Sequence, residues 1–369
     1  MKLYYIANAR MPAEKAYAIQ IAKMCEAFVE AGVDVTLVVP RRATPGALRE
    51  YYGLRTGVPL LYLPALGSLY RRGRVGFLLS SLVFMLGYVL YLGVKRLRGE
   101  RFVAYSVDMD TFSFVPLALF LPRPFVEMHG PKPSTLLTRF FFRRARIIAT
   151  NTLIADSIAK TFGTKSDRLQ VEPNGVDASV LETIVSKEAA REKLGLPADA
   201  PFALYAGRFY GWKELGILSE ASRISPLPIA VVGGTQGEFE RVTGASAERL
   251  QFFGECAPQD VPLWLAAADV LLVLGSTRNE SSSRYTTPMK VYEYFAARRP
   301  VVAAATPALQ SFIPTDAVTW YEPDNAGSLC AAIAQAQHAD TARALAEARA
   351  HTWQHRAERI LTFIHAHGN

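Results

Sequence analysis

The chain has 369 residues, of which 50% are hydrophobic and 20% are charged, with a formal net charge of +8. This length favours two domains, and the apolar content excludes an intrinsically disordered protein. The three cysteines, Cys25, Cys256 and Cys330, show neither metal-ligand spacing nor a disulfide pattern, which is typical of a reducing cytosol. Met1 to Ile6 lead directly into a strand pattern, so we expect no secretory signal.

The positive charge is concentrated in the first half of the chain. Residues 1–173 carry 24 Lys and Arg against 12 Asp and Glu, a net charge of +12, whereas the remaining residues have a net charge of −4. Many of the basic residues are clustered, at Arg41-Arg42, Arg71-Arg72-Arg74, Lys95-Arg96-Arg98-Arg101 and Arg139-Arg143-Arg144-Arg146. Such clusters suit a nucleic acid or an anionic membrane. Since no nucleic-acid-binding motif accompanies them, we expect a membrane surface and no nucleic acid.

The first half has the hydrophobic pattern of an α/β protein. A strand over Leu3–Ile6, a helix over Ala16–Ala31 and a strand over Val33–Val39 form the βαβ start of a parallel sheet. The loop after the first strand lacks Gly-x-Gly-x-x-Gly, so a dinucleotide fingerprint is absent. The later strands predicted in this half are Leu60–Leu63, Phe102–Val107, Phe125–Met128, Ile147–Thr150 and Leu169–Val171.

Residues 75–94 form an uncharged stretch between two predicted strands, with basic residues on both sides. The stretch is long enough to cross a membrane. Three interpretations remain open: a buried or half-buried helix between sheet strands, a helix that dips edge-on into a bilayer, and a true span. Basic residues on both flanks argue against a span, because orientation in a membrane usually requires charge on one side. A span would also divide one parallel sheet between two sides of the bilayer.

Polar residues follow two of these predicted strands. Asp108 and Asp110 form an Asp-x-Asp pair that could hold a metal diphosphate, although an acidic pair at a helix start has the same sequence, and we favour the helix start. His129 comes directly after a strand and is the only histidine before His338. Because ligands bind at the carboxyl ends of parallel strands, we place His129 in the functional site rather than in the packed interior.

A second α/β unit is predicted from residue 202 onwards, with strands at Phe202–Ala206, Ile229–Val232, Leu250–Phe253, Asp269–Leu274 and Val301–Ala304. Its first strand leads into Gly207, Arg208 and Lys213. Two cations and free N–H groups on such a loop suit a diphosphate, although a solvated basic loop has the same composition. The second strand ends in Gly233 and Gly234, a pair typical of a loop beside a nucleotide base.

The stretch from 286 to 302 carries the strongest functional signal. Thr287 before Pro288 predicts a helix that starts at Pro288, and Pro300 ends it. The N-terminus of this helix offers N–H groups to a phosphate, and Glu293, about two turns in, could accept hydrogen bonds from ribose hydroxyls. An ordinary amphipathic helix with one exposed Glu would give the same pattern. The candidate donor-binding residues are Gly207, Arg208, Lys213, Gly233, Gly234, Thr287, Pro288, Met289, Lys290 and Glu293.

Together these motifs resemble those of family-4 retaining glycosyltransferases of the bacterial surface-polysaccharide type, which have the GT-B fold. The family usually carries two glutamates separated by seven residues. Glu293 matches the second, Tyr285 holds the place of the first, and Glu280 is a possible replacement. The Pro-Asn-Gly-Val-Asp segment at 173–177 resembles the family's interdomain connection, and the amphipathic helix at 352–364 resembles its C-terminal helix.

The resemblance implies two Rossmann-like parallel-sheet domains that face each other across a cleft. Residues 1–173 would be the acceptor-side domain and residues 174–345 the nucleotide-sugar domain, with a C-terminal helix in 346–369 that packs back on the first domain. The implied enzyme is a hexosyltransferase that moves a sugar, with retention, from a nucleotide-sugar donor to a lipid-linked or membrane-associated glycan acceptor.

In such an enzyme the catalytic residues would be His129, Lys213 and Glu293, with no metal ion and no cofactor other than the donor. The protein would be cytoplasmic and peripheral to the inner face of the membrane. Two alternatives remain: a GT-B sugar-nucleotide epimerase or hydrolase, and a membrane-associated sugar-nucleotide-binding subunit that has lost catalysis, which Tyr285 motivates. The tail histidines predict a solvated helix face rather than a metal site; they are His351, His355, His365 and His367.

Overall fold

The structure is a computed structural model that describes residues 1–42, 48–67, 73–121, 123–183 and 185–367. Arg71 and Arg72, which belong to one of the predicted basic clusters, lie outside the described residues. The chain forms two compact units. Unit 1 consists of Met1–Asn174 and Trp353–Asn369, and unit 2 consists of Gly175–Thr352.

Unit 1 is built on a parallel sheet of seven strands, β1 (Lys2–Ile6), β2 (Asp34–Pro40), β3 (Leu60–Leu63), β4 (Val103–Val107), β5 (Phe125–Met128), β6 (Arg146–Ala149) and β7 (Leu169–Val171). Its helices before residue 175 are α1 (Ala16–Glu30), α2 (Leu48–Tyr52), α3 (Gly73–Leu97), α4 (Thr111–Phe114), α5 (Leu117–Phe120), α6 (Leu136–Phe142) and α7 (Thr152–Phe162). The strand order is β3-β2-β1-β4-β5-β6-β7. The order reverses between β1 and β4, and ligands bind at such switch points in open α/β sheets.

Unit 2 repeats this plan with six strands, β8 (Ala203–Ala206), β9 (Ile229–Val232), β10 (Leu250–Phe252), β11 (Val270–Val273), β12 (Val301–Ala304) and β13 (Thr319–Tyr321). Its helices are α8 (Ala178–Glu182), α9 (Lys187–Leu194), α10 (Ile217–Ala221), α11 (Gln236–Thr243), α12 (Val261–Ala267), α13 (Lys290–Ala296), α14 (Pro307–Gln310), α15 (Ala326–Ala336) and α16 (Ala342–Ala350). The parallel strand order, β10-β9-β8-β11-β12-β13, is that of a Rossmann sheet, with its switch point between β8 and β11.

The central strands of unit 2 consist entirely of buried residues, as β8, β9, β11 and β12 show. Each is a continuous apolar run without alternation, because helices cover both faces of a parallel sheet. The last helix of the chain, α17 (Trp353–His367), belongs to unit 1. Its buried face includes Trp353, Ile360 and Ile364, and Phe363 packs edge-on against Phe125 of β5 at 6.0 Å between ring centroids.

Helix α3 contains the predicted apolar stretch and extends it at both ends. Among the described helices it alone is long and apolar enough to cross a membrane, by length and composition, yet a third of its most apolar window is buried in unit 1. Phe84, Tyr88 and Leu92 pack on the sheet with Tyr4 and Val38. The opposite face exposes a stripe of aliphatic side chains between 37% and 89% accessible, at Val75, Leu78, Leu79, Leu82, Leu86, Leu90, Val94 and Leu97.

Candidate active site

The carboxyl ends of β8 and β9 carry two glycine loops that touch each other. Gly207 has a φ of +148° and Gly233 a φ of +118°, which L side chains rarely adopt. A Cβ on Gly233 would lie 2.7 Å from the carbonyl oxygen of Gly207, so only glycine fits. A Cβ on Gly234 would meet the ring of Phe209, which packs edge-on against Phe239 at 5.6 Å between centroids. The fold therefore brings the three predicted glycines to one edge of the sheet.

Lys290 of α13 reaches the same edge. Its Nζ donates a 2.7 Å hydrogen bond to the carbonyl oxygen of Ala206 and lies 4.2 Å from the ring centroid of Tyr205. Burial lowers the pKa of Lys290 well below its usual value; the charge of Lys213 lowers it further, and Glu293 opposes this. Two neighbouring ammonium groups with so little compensation form a site that an anion would stabilise.

Lys213 and Arg208 supply the other predicted cations. Lys213 ends a one-turn 3-10 helix over Gly211–Lys213, and its Nζ lies 5.0 Å from the ring centroid of Tyr210 and 5.4 Å from that of Trp212. Burial lowers the pKa of Lys213 to about 8. The side chain of Arg208 is exposed, and no described residue pairs with its guanidinium. Both cations are thus available to a ligand.

Helix α13 begins at Lys290, so the predicted start at Pro288 is wrong. Residues 286–288 are not helical, and the amide of Val291 donates to the carbonyl oxygen of Pro288 at 3.3 Å, an i to i−3 turn that leads into the regular helix. Met289 is the residue before the helix, and Thr287 lies outside it. Because the helix has only seven residues, side-chain cations supply more of the positive charge than its dipole does.

Glu293 consequently lies in the first turn of α13 rather than two turns in. Its side chain is half-buried, and no described residue donates a hydrogen bond to its carboxylate. Burial raises the pKa of Glu293, and Lys290 counteracts this. The carboxylate therefore has lone pairs available for hydroxyl groups of a ligand.

Tyr285, in place of the family's first glutamate, ends a five-residue π-helical turn over Ser281–Tyr285. Its hydroxyl donates to Oε1 of Glu280 at 3.3 Å, so the fold does bring the suggested replacement next to Tyr285. Ser282 is buried and accepts from the amide of Ser276 at 3.0 Å. The segment between β11 and α13 therefore contains regular hydrogen-bonded structure.

In unit 1 the side chains of the Asp-x-Asp pair stabilise the local structure. Asp110 caps α4, accepting from the amide of Ser113 at 3.1 Å, and also accepts from Nδ2 of Asn8. Asp108 forms an ion pair with Lys132. Over the described ranges no three His, Cys, Asp or Glu side chains are grouped as a metal site would require. This arrangement matches the helix-start interpretation of the pair.

His129 lies at the carboxyl end of β5, with its side chain 33% exposed. Its Nε2 is 3.1 Å from Oε1 of Glu127, which is fully buried and paired with Arg356 of α17. The sequence reasoning missed Glu127 and Arg356. Both had a signal: Glu127 is a lone charge in an apolar strand, and Arg356 lies at helical spacing between Trp353 and Ile360, inside the apolar stripe of α17.

Comparison with known proteins finds that part of unit 2 is similar to glycosyltransferases. Residues 200–338, which include the donor-binding candidates from Gly207 to Glu293, match the family model of glycosyl transferases group 1. A D-inositol 3-phosphate glycosyltransferase of Xylanimonas cellulosilytica is 30% identical over 189 residues, which are 46% of this chain and 43% of the relative. The chain thus spans less than half the length of that relative.

Two solved structures resemble the whole chain. A sucrose-phosphate synthase from Thermosynechococcus elongatus has a TM-score of 0.72 at 17% identity, over 99% of this chain and 98% of that one. Anabaena HepE, solved in complex with UDP and glucose, has a TM-score of 0.69 at 16% identity, over 99% and 100%. At this identity the likeness defines the fold, and the predicted pair of Rossmann-like domains of the GT-B type is confirmed.

Proposed function

We propose that the chain is a glycosyltransferase that takes a sugar from a nucleoside-diphosphate donor held by unit 2. The observation that carries the proposal is the position of Lys290 against the touching loops of Gly207 and Gly233, where the charge of Lys213 also acts on it, within the region that matches the group 1 glycosyl transferases. Backbone that approaches this closely and cations that lack counter-charges are what a diphosphate requires.

The chemistry follows from the leaving group. Breaking the sugar–phosphate bond builds negative charge on the diphosphate, and cations placed beforehand stabilise that charge without reorganisation. Lys213 and Arg208 contact the diphosphate in this proposal, and Lys290 adds positive charge from beneath the loop. These side chains supply the charge that a divalent metal ion would otherwise provide, so we propose that transfer requires no metal.

Glu293 accepts hydrogen bonds from the ribose hydroxyls in this proposal, because its carboxylate has no donor among the described residues. HepE, which shares the fold, was solved with UDP. This supports a uridine nucleotide as the first donor to test. His129 orients the sugar or the acceptor through a hydrogen bond.

We also propose that transfer proceeds with retention. A glycosyl-enzyme intermediate needs a carboxylate nucleophile close to the anomeric carbon, with a second carboxyl group about 5 Å away. Glu293, the carboxylate close to Lys290, is assigned to the ribose in this proposal. Front-face attack, in which the donor's own phosphate accepts the proton of the acceptor hydroxyl, needs no such pair.

The acceptor that we propose is lipid-linked or otherwise at the membrane, and α3 supports it. Its aliphatic stripe, the eight side chains from Val75 to Leu97 named above, is a contiguous exposed apolar surface, and such surfaces mark membrane or protein contacts. Arg74 lies in the first turn of this helix and Arg96 in the last, where anionic headgroups would attract each by about 1 kcal/mol. The buried face of α3 packs on the sheet, so the helix dips into the bilayer surface without crossing it.

A second group of exposed leucines supports the same surface. Leu136 and Leu137 begin α6 shortly after His129 and are 87% and 68% exposed, and Leu119 of α5 is 72% exposed. Helix α5 contacts α6 and also packs on α3 through Leu117. Membrane contact therefore extends towards the loop that carries His129, and we place the protein on the cytoplasmic face of the inner membrane.

A specific observation favours one alternative function. Tyr285 stands where the family has its first glutamate, which would suit a membrane-associated subunit that binds a sugar nucleotide without turning it over. Glu280, next to Tyr285, is the group that would restore a carboxylate to this region.

The decisive experiment uses the purified full chain. UDP, GDP and ADP sugars are screened by thermal shift, and donors that bind are incubated with a bacterial glycolipid extract or with inositol phosphate, with and without excess chelator. We expect sugar transfer to the lipid fraction with retained anomeric configuration, unaffected by chelator. Turnover to free sugar alone would indicate a hydrolase, and binding without turnover the inactive subunit. Failure of every nucleotide sugar to bind would contradict the proposal.

A further inference from the structure

Glu127 is the centre of a buried hydrogen-bond network in unit 1 that reaches His129. Glu127 and His129 are two residues apart at the end of β5 and therefore point to the same face of the strand. Phe125, two residues earlier, contacts Phe363 of α17 on that face. Helix α17 thus covers the side of the sheet from which Glu127 supports His129.

The carboxylate of Glu127 accepts hydrogen bonds from four side chains. Arg356 donates to both oxygens, at 2.8 Å from Nη2 to Oε1 and 3.2 Å from Nη1 to Oε2. The hydroxyl of Tyr105 donates to Oε2 at 2.6 Å, and Nε2 of Gln20 donates to Oε1. Nε2 of His129 lies 3.1 Å from Oε1. These five contacts occupy all of the about four lone-pair positions of the two oxygens, and three donors share Oε1.

Arg356 is equally fixed. Its Nε donates to the carbonyl oxygen of Pro173 at 2.7 Å and its Nη2 to that of Glu172 at 3.2 Å, in addition to the bonds to Glu127. The side chains of Arg356 and Glu127 are both fully buried. A bidentate guanidinium held by two further carbonyl groups has one orientation, so the position of the Glu127 carboxylate depends on α17.

The ionisation state of Glu127 determines whether Glu127 or His129 carries the hydrogen that lies between them. Burial by itself would raise the pKa of Glu127, but the charge of Arg356 and the hydrogen bond from His129 hold it well below its usual value. An ionised carboxylate has no proton to donate. The hydrogen between the two groups therefore belongs to Nε2 of His129, and in the neutral form of the imidazole the lone pair is on Nδ1. Within the described ranges Nδ1 has no hydrogen-bond partner.

We propose that Arg356 and Glu127 are positioning residues that hold His129 as the Nε2–H tautomer, so that Nδ1 accepts a hydrogen bond from a hydroxyl group of the substrate. The identity of that hydroxyl, on the sugar or the acceptor, rests on the proposed glycosyl transfer, whereas the tautomer does not. The other charged groups near this loop, Asp108 and Lys132, neutralise each other and leave Glu127 as the partner of the ring. The C-terminal helix would thus be required for the chemistry of unit 1 as well as for its packing.

The first test is nitrogen-15 NMR of the full chain, because the two ring nitrogens of a neutral histidine give well-separated signals. His129→Gln identifies the resonances of His129 among those of the six histidines. We expect a protonated Nε2 and an unprotonated Nδ1 at alkaline pH. The opposite tautomer, or an even mixture, would overturn the proposal. This measurement needs no activity, so it stands even if the protein proves not to be a transferase.

The second test replaces the pair by neutral residues of similar volume, in the double variant Glu127→Gln and Arg356→Met. Removing both charges avoids leaving one buried charge unpaired. We expect a mixed His129 tautomer and a kcat lower by about tenfold from misorientation of the ring, with the donor KM within twofold of wild type. The matched control is Glu172→Gln with Arg359→Met, which removes a different ion pair of α17. Equal tautomer populations and equal kcat in the two double variants would overturn the proposal, and the wild-type spectrum decides alone if the first variant does not fold.

Discussion

The two sheets share one strand order, yet the charged side chains at the carboxyl ends of their strands differ. They are paired in unit 1, whereas in unit 2 the cations have little compensating negative charge. In unit 1, Glu127 is paired with Arg356, and Asp108 with Lys132. In unit 2, burial lowers the pKa of both Lys213 and Lys290, the charge of Lys213 lowers the pKa of Lys290 further, and Glu293 opposes the shift at Lys290. Unit 2 is therefore suited to an anion and unit 1 to neutral hydroxyl and apolar groups. Topology determines where a ligand binds, and the balance of charge determines which ligand it is.

The largest expected effect is on membrane binding, which we assign to the exposed apolar surface of unit 1 and not to that of unit 2. Leu86 and Leu90 are 57% and 69% exposed on α3. Replacing both with Gln, which keeps helix propensity, removes about 2–3 kcal/mol of apolar transfer. Binding to anionic liposomes in a flotation assay should weaken by about 30- to 150-fold. Ile224→Gln in unit 2, which is 62% exposed, is the control and should bind as wild type does. An equal loss of liposome binding in the Leu86/Leu90 variant and in the Ile224→Gln control would contradict the proposal. So would the absence of liposome binding by wild type at any salt concentration.

The next effect tests whether the cations of unit 2 bind the donor. Lys213→Ala should raise the donor KM or lower kcat by about ten- to hundredfold, the value of a charged hydrogen bond of about 1.5–3 kcal/mol. Arg208→Ala should act in the same direction. Lys193→Ala, at an exposed position at the end of α9, is the matched control. Unchanged steady-state kinetics in the Lys213 and Arg208 variants would remove both residues from the donor site.

A smaller and graded effect concerns pH. Because the pKa of Lys213 is lowered to about 8, its ammonium is protonated below that pH and becomes neutral above it. The donor KM should therefore rise above pH 8, by up to about tenfold per pH unit, since only the charged form attracts the diphosphate. In Lys213→Arg, residue 213 stays charged, so the donor KM should rise less above pH 8. Lys290 is retained in both proteins. Parallel pH profiles between pH 7 and 9.5 would show that another group titrates.

The smallest expected effect is at the Asp-x-Asp pair of unit 1. Asp108→Asn removes one charge from the ion pair with Lys132, which is worth about 1 kcal/mol or less if exposed and somewhat more here. We expect transfer activity within about threefold of wild type and no response to excess chelator. Activity that is lost on chelation and restored by manganese would instead assign the pair to a metal diphosphate.

The sequence predicted the central strands well, because each is a continuous apolar run bounded by turn residues. It did not predict short helices such as α4 and α5, since four residues do not reveal a helical period. It placed the start of α13 two residues early, because Thr287 before Pro288 resembles a helix start, whereas the chain there is occupied by the turn that precedes the regular helix.

The candidate donor residues could also be predicted from the sequence, because glycine and basic residues directly after an apolar strand suit a phosphate. The sequence by itself thus determined the two α/β units, the position of each loop at a strand end, and the uneven charge. Only the tertiary structure decided which charges meet. Arg356 and Glu127 are 229 residues apart in the chain, and Lys290 and Ala206 are 84 apart. No local pattern encodes such pairings, because they depend on how helices pack on the sheets.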